Sequence, residues 1–136
     1  MSTLLQRRRH RRGRTRRTPS VAQRPWGKLA AIDLHGCERS KLVDSAAIVA
    51  FLRELVPAIA MEAHGPVHID RFGDGELEGW SAMQFIKTSA VSVHADEVGC
   101  RCFVDVFSCK EFDAERAARM AHSHFGGTPR VRVLER

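Results

Sequence analysis

The chain has 136 residues and a formal net charge of +6, and 43% of its residues are hydrophobic, as is typical of one globular domain. No run approaches the roughly 18 to 20 apolar residues that a transmembrane helix needs, and arginines stand where a signal peptide has its apolar segment, so we expect a soluble cytoplasmic protein without membrane contact. In that reducing compartment the four cysteines are expected to be free thiols rather than two disulfides.

The positive charge is concentrated at the amino terminus. Residues 1–17 hold eight of the 22 Lys and Arg residues and no Asp or Glu, which leaves 14 basic and 16 acidic residues in the rest of the chain. Because a dense block of like charges repels itself and cannot be buried, residues 1–25 are predicted to be a disordered Arg-rich arm and linker. The arm has no Phe, Trp or Tyr to stack on bases, so we expect at most a weak nucleic-acid contact through it.

The folded domain is predicted to span residues 26–136 and to begin with a strand and a helix. Residues 28–35 are rich in apolar side chains and are followed by Gly36, which indicates a β-strand. Asp44 is a suitable N-cap for a helix whose apolar residues recur at helical spacing, and Pro57 should kink or interrupt that helix. The apolar residues in question are Ile48, Phe51, Leu52, Leu55 and Ile59.

The middle of the chain is predicted to form three strands. Residues 66–72 alternate in polarity like a short strand, and residues 73–79 supply the glycines and acidic residues of a turn. Two longer strands are predicted from residue 81 to about residue 95 and from residue 100 to residue 109. Residues 98–99 leave room for a hairpin turn between them.

A second helix and a closing strand complete the predicted elements. Asp113 should cap the helix, which Gly126 and Gly127 end. Residues 130–134, RVRVL, read as an edge strand with both arginines outward. The expected fold class is therefore α+β: a two-layer sandwich of an antiparallel or mixed sheet with two helices on one face. Because the other face would lack cover, which a second copy of the same face could supply, we predict a homodimer.

One predicted strand carries polar side chains at regular positions. Period-two alternation puts Val91, Val93 and Ala95 on one face, and Ser92 and His94 on the other. An isolated Ser or His in a strand is usually a satisfied polar residue. The group of polar residues along this part of the chain favours a functional site instead.

Four residues along this part of the chain keep a distinctive spacing. Ser81 and Ser89 are eight residues apart, Ser89 and His94 five, and His94 and Cys109 fifteen, and a glycine lies two residues before Ser81. With these spacings the stretches GWSAMQFIKTSAVSVH, FVDVFSC and IDLHGC resemble the prokaryotic S-adenosylmethionine decarboxylase family, whose enzymes make a pyruvoyl cofactor from their own chain. The similarity extends from about Trp26 to the carboxyl terminus.

The resemblance implies a role for each of these residues. Ser89 would be the pyruvoyl precursor, and its hydroxyl would attack the carbonyl of Thr88, so that β-elimination from the resulting ester cleaves the chain between residues 88 and 89. Ser81 and His94 are implied to carry this processing, His94 as the base. The pyruvoyl carbonyl would hold the substrate's amino group as a Schiff base and serve as the electron sink. Cys109 is implied to return a proton to the substrate after decarboxylation.

The implied function is a pyruvoyl-dependent decarboxylase of S-adenosylmethionine that feeds spermidine biosynthesis, and no metal is expected. Thr88 and Ala90 depart from the family's usual Glu and His, and Glu97 comes one position early. Two alternatives therefore stay open: the same fold acting on ornithine or arginine, and an uncleaved, non-catalytic paralogue. A zinc site built from the carboxyl-terminal cysteines is disfavoured because Cys100 and Cys102 share one predicted sheet face and Cys109 lies on the other.

Overall fold

The structure, a computed structural model, describes residues 24–136, so the predicted Arg-rich arm falls almost wholly outside the described residues. The described part of the chain folds into six β-strands and three α-helices. The strands are β1 (Lys28–Cys37), β2 (Ala63–Phe72), β3 (Gly79–Ile86), β4 (Ser89–Asp96), β5 (Arg101–Ser108) and β6 (Gly126–Glu135). The helices are α1 (Arg39–Leu42), α2 (Ser45–Ala58) and α3 (Ala114–Phe125). None of these helices is long and apolar enough to cross a membrane.

The six strands form one sheet in the order β2-β3-β4-β5-β1-β6, and each neighbouring pair is antiparallel. The helices pack on one side of it, which confirms the predicted α+β sandwich. β6 is an edge strand, as predicted for residues 130–134, and both of its arginines are exposed.

The two main helices begin at the residues that the sequence predicts. The carboxylate of Asp44 accepts a hydrogen bond from the backbone N–H of Ala46 at 2.9 Å, and that of Asp113 accepts one from Arg116 N–H at 3.0 Å. Each carboxylate satisfies an N–H that has no partner within its helix. Pro57 lies in the last turn of α2, which ends one residue later, as expected of an imino acid that cannot continue the backbone hydrogen bonds.

The core lies between the helices and one face of the sheet. Alternate residues of the four inner strands β1, β3, β4 and β5 face the helices and are mostly buried, whereas the intervening residues face away. The helix-facing residues of β4 and β5 are Val91, Val93, Ala95, Cys102, Val104, Val106 and Ser108. We call the opposite sheet surface, which carries Ser92, His94, Phe103, Asp105 and Phe107 on the same two strands, the open face; in the described part of the chain it has no covering layer.

The prediction of one long strand over residues 81–95 is wrong. The segment is a hairpin: β3 ends at Ile86, Lys87 and Thr88 form the turn, and β4 returns from Ser89. The turn contains no Gly, Asn or Pro, so the usual local signal is absent. Packing explains the reversal, because folding the segment back lets both halves bury apolar residues against the helices.

Candidate active site

The bond between Thr88 and Ser89 lies where the β3–β4 turn enters β4. Ser89 has a φ of +148°, a backbone conformation that residues with a side chain rarely adopt. Such residues carry local strain that the surrounding structure must hold in place, and they concentrate at functional sites. The strained residue is the serine that the sequence singles out as the nucleophile.

The carbonyl of Thr88 is held by the end of β5. The backbone N–H of Cys109 donates a hydrogen bond to this oxygen at 3.1 Å. A backbone donor aimed at a carbonyl oxygen polarises the carbon and stabilises the negative charge that develops when a nucleophile attacks. The peptide bond before Ser89 therefore adjoins a strained residue and has a polarised carbonyl.

The side chain of Thr88 is held by the same strand end. Its hydroxyl lies 2.8 Å from the hydroxyl of Ser108, and 3.4 Å from the sulfur of Met61. Ser108 is 1% exposed and accepts a further hydrogen bond from the backbone N–H of Lys110 at 3.0 Å. Sequence reasoning missed Ser108, although a serine in the buried register of Cys102, Val104 and Val106 is a signal that could have found it.

Of the four cysteines, all of which lie within the described residues, Cys109 alone is exposed. Burial raises the pKa of Cys37 and of Cys102, so both side chains stay protonated in the core. Cys109 borders a small pocket of about 70 Å³ that is also lined by Trp26, Lys28 and Ser108. Its thiol can thus meet a molecule from solvent.

Ser81 and His94 form a hydrogen-bonded pair on the same hairpin. They lie opposite each other on β3 and β4, and the Ser81 hydroxyl is 2.9 Å from Nδ1 of the exposed His94. Gly79 makes this close pairing possible, because a Cβ atom there would lie 2.3 Å from the carbonyl oxygen of Ala95. The close approach of the two strands therefore requires a glycine at this position of the sequence motif.

The Thr88–Ser89 bond and the Ser81–His94 pair lie at opposite ends of the β3–β4 hairpin. Ser89 and His94 are five residues apart on a strand whose pairing with β5 is unbroken, which corresponds to about 16 to 17 Å. We call the group of Thr88, Ser89, Ser108 and Cys109 the cleavage end, and the pair of Ser81 and His94 the histidine end. The fold of one chain brings the residues together within each end but does not bring the two ends together.

The histidine end borders a larger cavity of about 430 Å³. Its walls include Phe72, Leu77 and Phe103, together with Ser81 and His94. Apolar walls around a few polar groups are the usual make-up of a small-molecule site.

Glu97, the acid that stands one position early in the sequence motif, is buried. Arg71 donates two hydrogen bonds to its carboxylate, at 3.2 and 2.9 Å, and a third at 2.6 Å to Glu78. The hydrogen bond with Glu97 raises the pKa of Arg71 further above its ordinary value. The Glu97 carboxylate is thus hydrogen-bonded to a residue of its own chain.

Two aspartates, Asp33 and Asp105, lie near the middle of the open face and are half-buried. Asp33 accepts a hydrogen bond from Arg132 at 2.6 Å. Burial raises the pKa of Asp105, and the negative charge of Asp33 adds to this shift, whereas His94 and Arg132 oppose it. A carboxyl with this environment resists losing its proton.

Comparisons with known proteins identify the family and the fold of this chain. Residues 28–136 match the sequence model of the S-adenosylmethionine decarboxylase family. A crystal structure of the adenosylmethionine decarboxylase from Aquifex aeolicus superimposes with a TM-score of 0.70 over 83% of this chain and 92% of that chain, at 21% sequence identity. At this identity the superposition establishes a shared fold. No curated protein sequence matches the chain.

Proposed function

The chain belongs to the S-adenosylmethionine decarboxylase family, and we propose that it is a pyruvoyl-dependent decarboxylase that makes its cofactor by cleaving its own Thr88–Ser89 bond. The observation that carries this proposal is the state of that bond: Ser89 is strained at a φ of +148°, and the Thr88 carbonyl accepts a hydrogen bond from Cys109 N–H at 3.1 Å. Strain lowers the barrier to rearrangement, and the donor stabilises the oxyanion.

The cleavage converts an amide into an ester and then breaks the ester. The Ser89 hydroxyl oxygen bonds to the carbonyl carbon of Thr88, and the nitrogen of Ser89 leaves as an amine. A base then takes the proton from the α-carbon of Ser89, so that the bond from its β-carbon to oxygen breaks and Thr88 departs with a carboxylate. The dehydroalanine left at residue 89 takes up water and releases ammonia, which yields the pyruvoyl group.

The residues of the cleavage end fit this group. When formed, it supplies a carbonyl that can bind a substrate's amino group and draw electrons from the bond to the carboxylate. Cys109, whose backbone N–H donates to the Thr88 carbonyl, contributes an exposed thiol that can hold the proton that the substrate's α-carbon needs after carbon dioxide leaves.

His94 is the proposed base of the elimination, with Ser81 as the residue that orients it. When Nδ1 donates its proton to the Ser81 hydroxyl, the lone pair on Nε2 is free to accept one. Because the histidine end lies about 16 to 17 Å from Ser89 within one chain, we propose that the base comes from a second copy.

A homodimer formed through the open faces satisfies this requirement. Packed sheets lie about 10 Å apart. A two-fold axis running between them at right angles to the strands places the histidine end of each copy above the cleavage end of the other. The open face has the composition such an interface needs, since Phe103 and Phe107 lie on it and Phe85 is 46% exposed there.

On family grounds we propose S-adenosylmethionine as the substrate, with its decarboxylated product used in cytoplasmic spermidine synthesis. Release of carbon dioxide from carboxyl-labelled S-adenosylmethionine, ornithine and arginine by the purified protein decides among these substrates. Labelled carbon dioxide from ornithine or arginine alone would contradict the assignment.

Denaturing mass spectrometry tests the self-cleavage. We expect two pieces, residues 1–88 and 89–136, the second bearing a ketone that reacts with a hydrazide reagent. The Ser89→Ala chain should stay whole and unreactive. An intact wild-type chain would support the uncleaved paralogue instead, and cleavage of the Ser89→Ala chain at the same bond would indicate an ordinary protease.

A further inference from the structure

Ser108 combines burial, polarity and proximity to the reacting bond. It is the last residue of β5 and lies opposite Ser89 in the pairing of β4 with β5. At 1% exposure its hydroxyl has no access to bulk water, so its hydrogen bonds must be made within the protein.

The contact distances around Ser108 favour Ser108 as the donor to Thr88. Lys110 N–H can only donate, so at 3.0 Å the oxygen of Ser108 accepts. The proton of Ser108 is then free for the Thr88 oxygen at 2.8 Å, a shorter contact than the 3.6 Å to Met61 sulfur. Thr88 in turn points its own proton at Met61 sulfur, 3.4 Å away. Each hydroxyl proton in this chain of contacts has an acceptor.

We propose that Ser108 is a positioning residue for self-cleavage, which acts by holding Thr88. This inference rests on the proposed function. Two adjacent residues at the end of β5 contact residue 88 at two points. The hydroxyl of Ser108 hydrogen-bonds to its side chain, and the backbone N–H of Cys109 hydrogen-bonds to its carbonyl. Because both contacts belong to Thr88, fixing the side chain restricts rotation of the residue and keeps the carbonyl on its donor while Ser89 attacks. Misplacement of a reacting group by a fraction of an ångström slows such a reaction.

The pair lies at a position where the sequence departs from the family pattern. Thr88 stands where the family pattern has Glu, and in this chain the shorter side chain meets a hydroxyl partner at 2.8 Å. The polar contact at residue 88 is thus provided within the chain by Ser108.

The test follows cleavage of newly made full-length chain in cell-free translation, with a radiolabel pulse and a chase. Ser108→Ala and Thr88→Val each remove one hydroxyl, and each is expected to slow cleavage about tenfold. Because both act on one contact, the double variant should be no slower than the slower single variant. Ser108→Thr, which keeps the hydroxyl, should cleave within about twofold of the wild-type rate.

Folding is checked separately by thermal melting of the same variants in chains that also carry Ser89→Ala, so that none is cleaved. Wild-type cleavage rates in Ser108→Ala, or slowing that multiplies in the double variant, would overturn the inference. If Ser108→Ala does not fold, Thr88→Val decides, because it alters only the half-buried partner: unchanged cleavage then rejects the inference, and slowed cleavage supports it. A wild-type chain that never cleaves rejects the proposed function itself, which is a different result.

Discussion

Cys109 has two different groups at the end of the hairpin that carries the Thr88–Ser89 bond. Its backbone N–H donates to the carbonyl oxygen of Thr88 at 3.1 Å, and its exposed thiol lies at the same end of the hairpin. In the proposed mechanism the backbone group serves the cleavage and the thiol serves the decarboxylation, so a side-chain substitution should separate the two reactions.

Replacing the thiol should spare cleavage and impair decarboxylation. In Cys109→Ala the backbone donor remains, so formation of the carbonyl group should proceed, whereas loss of the proton donor should lower carbon dioxide release at least about 100-fold. Carbonyl content from hydrazide labelling and carbon dioxide release are measured on one sample. Cys100→Ala, at a partly buried cysteine outside the site, is the control. Full turnover by Cys109→Ala would remove the assigned role of the thiol.

Ser89→Gly should be more stable than Ser89→Ala. Neither chain can cleave, because both lack the hydroxyl. Glycine adopts a φ of +148° without the steric conflict that a Cβ atom creates, so relief of strain should stabilise the glycine variant by about 1 kcal/mol. Chemical denaturation of the two variants measures the difference. If the alanine variant is equally or more stable, residue 89 is not strained.

Co-expression of two inactive variants tests whether the base comes from a second copy. His94→Ala alone should stay whole for lack of a base, and Ser89→Ala should stay whole for lack of a nucleophile. In a mixed dimer, His94 of the Ser89→Ala chain can serve Ser89 of the His94→Ala chain, so the latter should cleave. Different affinity tags identify the cleaved chain by mass.

The matched control for that experiment pairs His94→Ala with a chain carrying both Ser89→Ala and His94→Ala. This mixture contains no histidine at residue 94, so no cleavage is expected. Rescue by both partners would mean that dimerisation, not the imidazole, restores cleavage. Absence of rescue by the Ser89→Ala chain would contradict the proposed arrangement of the two copies.

Asp105→Asn should make stability less dependent on pH. Burial raises the pKa of Asp105 in the folded chain, so its contribution to stability is fully present below the unfolded pKa of about 3.9 and is lost as pH rises through the folded pKa. Above that pH the ionised carboxylate disfavours the fold. The neutral amide should therefore raise the melting temperature at pH 7 but not near pH 3.

Melting curves across this pH range are best recorded in the uncleaved Ser89→Ala background. Asp74→Asn, at an exposed turn position, serves as the control and should show no comparable gain at pH 7. A loss of stability in Asp105→Asn at pH 7 would show that the ionised carboxylate stabilises the open face through its neighbours His94 and Arg132.

Local patterns in the sequence predicted most of the elements correctly. Asp44 and Asp113 cap the helices because capping depends on a carboxylate a few atoms from its own backbone. The alternation of Val91, Val93 and Ala95 with Ser92 and His94 reproduces the two faces of β4 because successive side chains of a strand point to opposite sides. These properties depend on residues that are close together in the sequence, so they can be predicted from it.

The turn at Lys87 and Thr88 depended on the rest of the fold. Neither residue favours a reversal, and the hairpin forms because its two halves bury their apolar residues against the same helices. The strain at Ser89 follows from that reversal. Contacts between distant parts of the chain therefore produced the feature that most distinguishes the candidate bond.

The sequence by itself determined the family, the α+β class and the identity of the candidate residues, because spacing and polarity along the chain are sufficient for these. Tertiary structure alone decided how the residues are grouped. It joined Thr88 to Ser108 and Cys109, and it separated them from Ser81 and His94 by about 16 to 17 Å. The reason is that side-chain neighbours across a sheet are set by strand order and register, which depend on the packing of the whole domain.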